Sequence, residues 1–214
     1  MGSKLRESPS NSNPYISPRY RADDWRRLDL NSPTNPDWMT AVDIFLDRLC
    51  GRFLTPIEAI INHPDCEIQE FSGFTIIAID CLLIETLNQF YRGTDETVGR
   101  HEDAFWDFFR GSRFFKNEFD TKQKAEIFYR HFRCGILHQA QTKKLSKIRI
   151  GMPAMAQLSV PGRIKEGLII DRQKFHQALF NEINDYADKL KNPKTQKDLD
   201  LGGKFVKKML YIVH

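Results

Sequence analysis

The residues of this chain best suited to chemistry are Arg133 and His138, five positions apart in the stretch Phe128-Tyr-Arg-His-Phe-Arg-Cys-Gly-Ile-Leu-His-Gln139. Histidine exchanges protons near neutral pH, because its unperturbed pKa is about 6.5. Arginine stays charged and matches phosphate oxygens with a planar fork. Together the two types suit metal-free cleavage of RNA. A 2′-hydroxyl attacks the neighbouring phosphorus, and a fixed guanidinium stabilises the charge that builds on the non-bridging oxygens. On an ideal helix, at about 100° per residue, Ala125, Phe128, Phe132 and Ile136 fall within one arc of roughly 80° and form a core face. Arg133 and His138 fall on the other side, with Glu126, Arg130, Cys134, Leu137 and Gln141. That face is expected to hold Ile127 as well. A face mixing apolar residues with Arg and His suits an interface or a cleft.

The pair lies roughly 140° apart around an ideal helix, which strains its reach to one phosphate. A two-fold dimer would bring two arginines and two histidines into one cleft, and Leu137 and Ile127 suit such a contact. No metal site is expected. His131 and His138 share a stripe but stand about 10 Å apart along the axis, too far for joint ligation. A nucleophilic Cys134–His138 pair is geometrically possible, with no third group to orient it.

The elements that must carry these residues read as helices. Trp38, Val42, Phe45, Leu49 and Phe53 recur at helical spacing over 37–53, and Thr55-Pro56 opens a short helix through Ile61. His63-Pro64-Asp65 is a break. The next helix spans 68–91 and stops at Gly93. It is apolar on most sides, as a central bundle helix is, so Asp80 and Glu85 within it need buried partners. A short aromatic helix covers 102–109, and 114–119 is a loop or turn. Asp120-Thr121-Lys122-Gln123 resembles a capping box and opens the helix of the Arg/His pair, through about Gln141. Short strands follow at 146–150, 156–160 and 167–170. Asp171 caps a helix over 172–190, and a last short helix covers 204–212. The expected fold is mainly α, a helical bundle with a small β-hairpin or short-strand insertion at about 146–170. One domain spans 37–214.

Residues 1–36 differ: they hold five of the ten prolines and many Ser and Asn. They read as an irregular or disordered arm, with Tyr15, Tyr20 and Trp25 available to dock it. Met1-Gly2-Ser3 resembles an expression scar. The chain has 214 residues, is 41% hydrophobic and 28% charged, and so is not wholly disordered. Its nearly apolar run, 74–84, is interrupted by Asp80 and is too short and polar to span a membrane. No secretory signal is visible, and the four scattered cysteines suggest neither disulfides nor zinc, so a reducing cytoplasm is expected. The net charge of +4 hides an asymmetry. Residues 113–149 carry ten Lys and Arg against three acids, and residues 65–112 carry ten acids against Arg92, Arg100 and Arg110. Either two oppositely charged elements lie together, or the basic one meets phosphates.

Arg133-Cys134-Gly135-Ile136-Leu137-His138 resembles the R-x4-6-H signature of the HEPN superfamily, which sits on a late helix of an α-helical bundle. Bacterial HEPN-like proteins also have an apolar helix with an I-E-T-L-type segment, as in Ile84-Glu85-Thr86-Leu87, and an F-Y-x-x-F-R-x-G-(I/L)-L-H-Q-type stretch, as in 128–139. The resemblance covers roughly residues 70–142. It implies a homodimeric, metal-independent endoribonuclease without cofactor, with Arg133 and His138 catalytic in composite sites. Such proteins often serve toxin–antitoxin or phage-defence systems, which implies RNA and an antitoxin or regulatory protein as partners. Glu85 is the carboxylate expected to hold Arg133 or His138, and Arg130, Gln139, Lys143 and Lys144 complete the set as supporting or RNA-binding residues. The family often has Asn, Asp or His directly after the arginine, where this chain has Cys134, and some members are inactive. The alternative expectation is therefore a non-catalytic module for dimerisation or for binding a partner or nucleotide. A third is a helical nucleic-acid-binding protein using Lys143, Lys144, Lys147 and Arg149.

Overall fold

The computed structural model describes residues 13–99 and 101–214; Met1-Gly2-Ser3, Pro9 and Arg100 lie outside the described residues. The chain folds into a helical bundle with a small three-stranded sheet in its C-terminal third. The helices are α1 (Ala22–Arg26), α2 (Pro36–Leu49), α3 (Thr55–Ile61), α4 (Cys66–Phe71), α5 (Gly73–Arg92), α6 (His101–Gly111), α7 (Lys122–Phe128), α8 (Cys134–Gln139), α9 (Arg172–Lys191) and α10 (Gln196–Val213). The strands are β1 (Lys147–Arg149), β2 (Ala156–Leu158) and β3 (Leu168–Asp171). β3 is central, antiparallel to β2 and parallel to β1, so the expected hairpin is β2–β3 with a parallel strand added.

The core is aromatic. Phe109, Phe119, Phe128 and Phe175 are all buried, and Phe128 stacks on Phe175 with ring centroids 4.9 Å apart. A second cluster joins Trp25, Trp38, Phe45, Phe90 and Phe205. Trp25 belongs to the expected arm. Ile16, Ala22 and Trp25 are buried, Arg19 pairs with Asp47 at 2.7 Å, and α1 packs against α10 through Phe205. The described part of the arm is thus docked on the bundle by three apolar residues that its proline-rich composition obscures.

Several boundaries differ from the sequence expectation. The pause expected near Phe53 is a π-helical turn, Cys50–Leu54, which joins α2 to α3 without a break. A proline ring clashes with the carbonyl four residues back in a regular helix, and the wider turn before Pro56 gives it room. The helix expected over 68–91 is two helices divided at Ser72. The guanidinium of Arg172 donates to the carbonyls of Gln69 and Glu70, satisfying the end of α4. The final helix is 18 residues long, because a Thr195/Asp198 capping box opens it at Gln196. Gly202-Gly203 argues against that reach in sequence. In the fold Gly202 lets α10 approach α2, since a Cβ there would stand 3.0 Å from the Trp38 ring.

Asp80 and Glu85 on α5 both have partners. Asp80 accepts from or donates to His176 Nδ1 at 2.8 Å inside the core, and Glu85 meets Arg133. Among the described residues, α5 alone, with 20 residues and mean hydropathy 1.3, is long and apolar enough to cross a membrane, which the shorter run 74–84 does not suggest. In the fold it is the central bundle helix, packed against α6, α9 and α10.

Candidate functional site

The Arg/His pair sits on one continuous helical run made of α7, a π-helical turn at Tyr129–Arg133, and α8. Thr121 caps it by accepting from the Lys124 amide. Phe128 and Phe132 anchor it to the aromatic core, stacked with centroids 5.1 Å apart. The π turn lies directly before the motif, and such turns alter the facing of every later residue. Ile127 and His131 are buried, not on an open face. The β segment covers that side: His131 Nδ1 is 2.9 Å from Ser146 Oγ, just before β1. Ser146 Oγ accepts from the Leu168 amide at 3.1 Å, which leaves its own proton for His131. Burial, then the charges of Lys144, Lys143 and Arg130, push the His131 pKa below its ordinary value. His131 is therefore a neutral strut, and the stripe expected for His131 and His138 is broken by the π turn: His138 is exposed.

Arg133, the last residue of the π turn, is half-buried and points at α5. Its Nε donates to Glu85 Oε1 at 2.7 Å, and Nη2 reaches Oε2 at 3.5 Å. His101, opening α6, places Nδ1 3.6 Å from the same carboxylate. The guanidinium lies over the Tyr129 ring, 5.6 Å from its centroid. Burial works against the charge on Arg133, but the hydrogen bond and charge of Glu85 outweigh it and raise its pKa. The Tyr129 hydroxyl is pushed up to about 12, by burial first and then by the neighbouring Cys134 thiol. Tyr129 and Cys134 are five apart, the reach of one π turn. Behind them the Cys81 thiol is buried and held well above its usual pKa, chiefly by burial.

His138 stands at the open end of α8, about 7.5 Å further along the axis. It has no hydrogen bond or ion pair among the described residues. Ala140, left-handed at φ 51°, ends the helix. The chain then folds back tightly: the Gln141 carbonyl lies where a Cβ of Gly135 would stand, and the Lys143 amide donates to the His131 carbonyl at 3.1 Å. Leu137 on α8, and Leu82 and Phe74 on α5, are exposed at 50%, 45% and 38%.

Of the other candidates, Arg130 pairs with Glu102 at 2.8 Å and Lys144 donates to the Lys165 carbonyl at 2.9 Å. Gln139 is exposed and Lys143 half-exposed. The opposed charge of the two segments is partly an internal match: Arg133–Glu85, Arg130–Glu102 and Lys122–Asp103 all join them. Lys147 and Arg149 are exposed on β1. Sequence reasoning did not single out His101 or Tyr129. Tyr129 lies within the quoted stretch, but His101 reaches the cluster only through the packing of α6 on α5. Among the described residues no three His, Cys, Asp or Glu are grouped to hold a metal ion. No protein-family model matches the chain, and no curated protein or solved structure matches it significantly.

Proposed function

We propose that the protein is a metal-independent endoribonuclease of HEPN type, acting as a homodimer in the cytoplasm. The observation that carries this reading is the guanidinium of Arg133, held half-buried by Glu85 at 2.7 Å on the helix that presents an exposed His138. A guanidinium fixed before substrate arrives needs no reorganisation as charge develops on a phosphate. His138 takes the proton of the attacking 2′-hydroxyl. The new 2′-oxygen–phosphorus bond forms as the bond to the 5′-oxygen breaks, and that oxygen leaves with a proton from a second imidazole. Arg133 and a second arginine face the non-bridging oxygens. The exposed Leu137 and Leu82 suit a two-fold contact that supplies the second copies. Gln139 and Lys143 are free to bind RNA, and an antitoxin or regulatory protein would cover the same face. A role in phage defence or a toxin–antitoxin system fits such an enzyme.

The test is end-labelled total RNA with excess EDTA, beside His138→Ala and Arg133→Ala. Cleavage by the unaltered chain that both variants lose, with DNA inert because it lacks the 2′-hydroxyl, is the expected result. Full activity in either variant, or cleavage of DNA, overturns it. A second reading is a non-catalytic binding module. It is favoured by Cys134 following the arginine, and by the engagement of Arg133 with an acid. It predicts RNA or partner binding without turnover.

A further inference from the structure

A second site lies elsewhere, where the C-terminal ends of α5 and α6 meet α9 and the start of α10. A cavity of 340 Å³ opens there, and none of the Arg133 cluster lines it. Its inner wall is polar and buried. Glu182 on α9 is 3% exposed; it accepts from Tyr91 Oη at 2.6 Å and from Ser112 Oγ at 2.5 Å. Each of its oxygens retains acceptor capacity. Beside it Asn88 is 4% exposed and lines the cavity, and its amide makes no hydrogen bond among the described residues. Its polar atoms are not among the fully enclosed ones that lack a partner, so they open into the cavity and are free to meet a complement there. Phe108, Leu201 and the Tyr91 ring form the apolar walls.

The mouth is cationic. Its acids are already engaged: Asp107 pairs with both Arg92 and Arg110, and Asp198 accepts from Thr195 and the Lys194 amide at the cap of α10. Lys189 pairs with Asp185. Lys197 and Lys204 have no carboxylate partner among the described residues. They stand seven apart on α10, hence on one stripe of it.

We propose that this cavity binds a nucleoside monophosphate. The polarity sets its orientation. A carboxylate repels an anion and accepts N–H donors, so the base enters towards Glu182 and Asn88, flanked by Phe108 and Tyr91. The phosphate stays at the mouth with Lys197 and Lys204. Guanine presents two adjacent donors to a carboxylate, so guanosine monophosphate is the preferred probe. The volume falls within the range of small-molecule sites, roughly 300–1,000 Å³. This inference stands apart from the ribonuclease reading, because no residue is shared.

The experiment is calorimetric titration of the full chain with guanosine 5′-monophosphate, ribose 5-phosphate and inorganic phosphate. Guanosine monophosphate binds saturably, and the two base-free probes bind at least about tenfold more weakly. The double variant Lys197→Glu/Lys204→Glu, both positions exposed, weakens the nucleotide about tenfold or more and leaves the unliganded melting temperature unchanged. Asn88→Ala weakens the nucleotide but not inorganic phosphate. His138→Ala leaves binding intact. No saturable binding of the nucleotide overturns the proposal. So do equal affinity for phosphate alone, unaltered binding in the double-lysine variant, or loss of binding in His138→Ala, which would move the nucleotide to the motif helix.

Discussion

Replacing Glu85 with Gln removes one charge from the Arg133 cluster while nearly preserving its shape. The two side chains are 19% and 16% exposed and meet at 2.7 Å. At an effective dielectric near 20, unit charges about 4 Å apart attract by about 4 kcal/mol, and the desolvation of both opposes it. Exposed pairs contribute about 0–1 kcal/mol net, while breaking a buried pair costs about 3–5 kcal/mol because a charge is left alone. The exposures here lie between those limits but nearer burial, and Gln can still accept one hydrogen bond, so the expected loss is about 2 kcal/mol. In a chain of this size each kcal/mol lowers the melting temperature by about 2–4 °C, which gives about 4–8 °C. The assay is thermal and urea unfolding followed by circular dichroism, for Glu85→Gln, Arg133→Gln and the double variant. The cycle should return a coupling of at least about 1 kcal/mol, because the second change removes the charge that the first left unpaired. Zero coupling with a melting shift under about 1 °C would refute the view that this pair holds Arg133 in place.

Other expectations concern the supports around the cluster. His131 is depressed below its ordinary pKa by burial, so the unfolded chain binds its proton first. Its contribution is complete above about pH 6.5 and is lost as pH falls below that value. Urea midpoints measured downwards from neutral pH should fall, and His131→Gln should flatten that slope; an equal slope in both proteins would rule the strut out. Gly135→Ala drives a Cβ into the Gln141 carbonyl and should cost about 1–3 kcal/mol by chemical unfolding, with an unchanged midpoint refuting the tight return after α8. Leu137→Asp should convert the proposed dimer to monomer in light scattering without lowering stability, since Leu137 is 50% exposed. A dimer that persists places the interface elsewhere.

Much of the fold was legible because its determinants are local. The 3.6-residue periodicity of α2 and α5, the Asp171 cap of α9 and the left-handed Gly93 after α5 each depend on neighbours a few positions away. The Arg133/His138 spacing and the need of Asp80 and Glu85 for partners were visible in the same way. Which partner Asp80 takes was not, and for Glu85 the resemblance offered Arg133 or His138 without choosing between them. Glu85 meets Arg133 across 48 positions and Asp80 meets His176 across 96, and helical periodicity defines faces without saying which faces meet. The π turn before the motif is a further case. A few hydrogen bonds shifted from i−4 to i−5 turn every later residue, so His138 opens outward although His131 faces the β segment. The sequence by itself determined a helical chain carrying a late Arg/His pair, because backbone hydrogen bonding and capping act over a few residues. Only the tertiary structure decided that Glu85 takes Arg133 rather than His138, that His101 and Tyr129 join them, and that Asn88 and Glu182 share a cavity, because burial and charge partnership arise when distant faces pack.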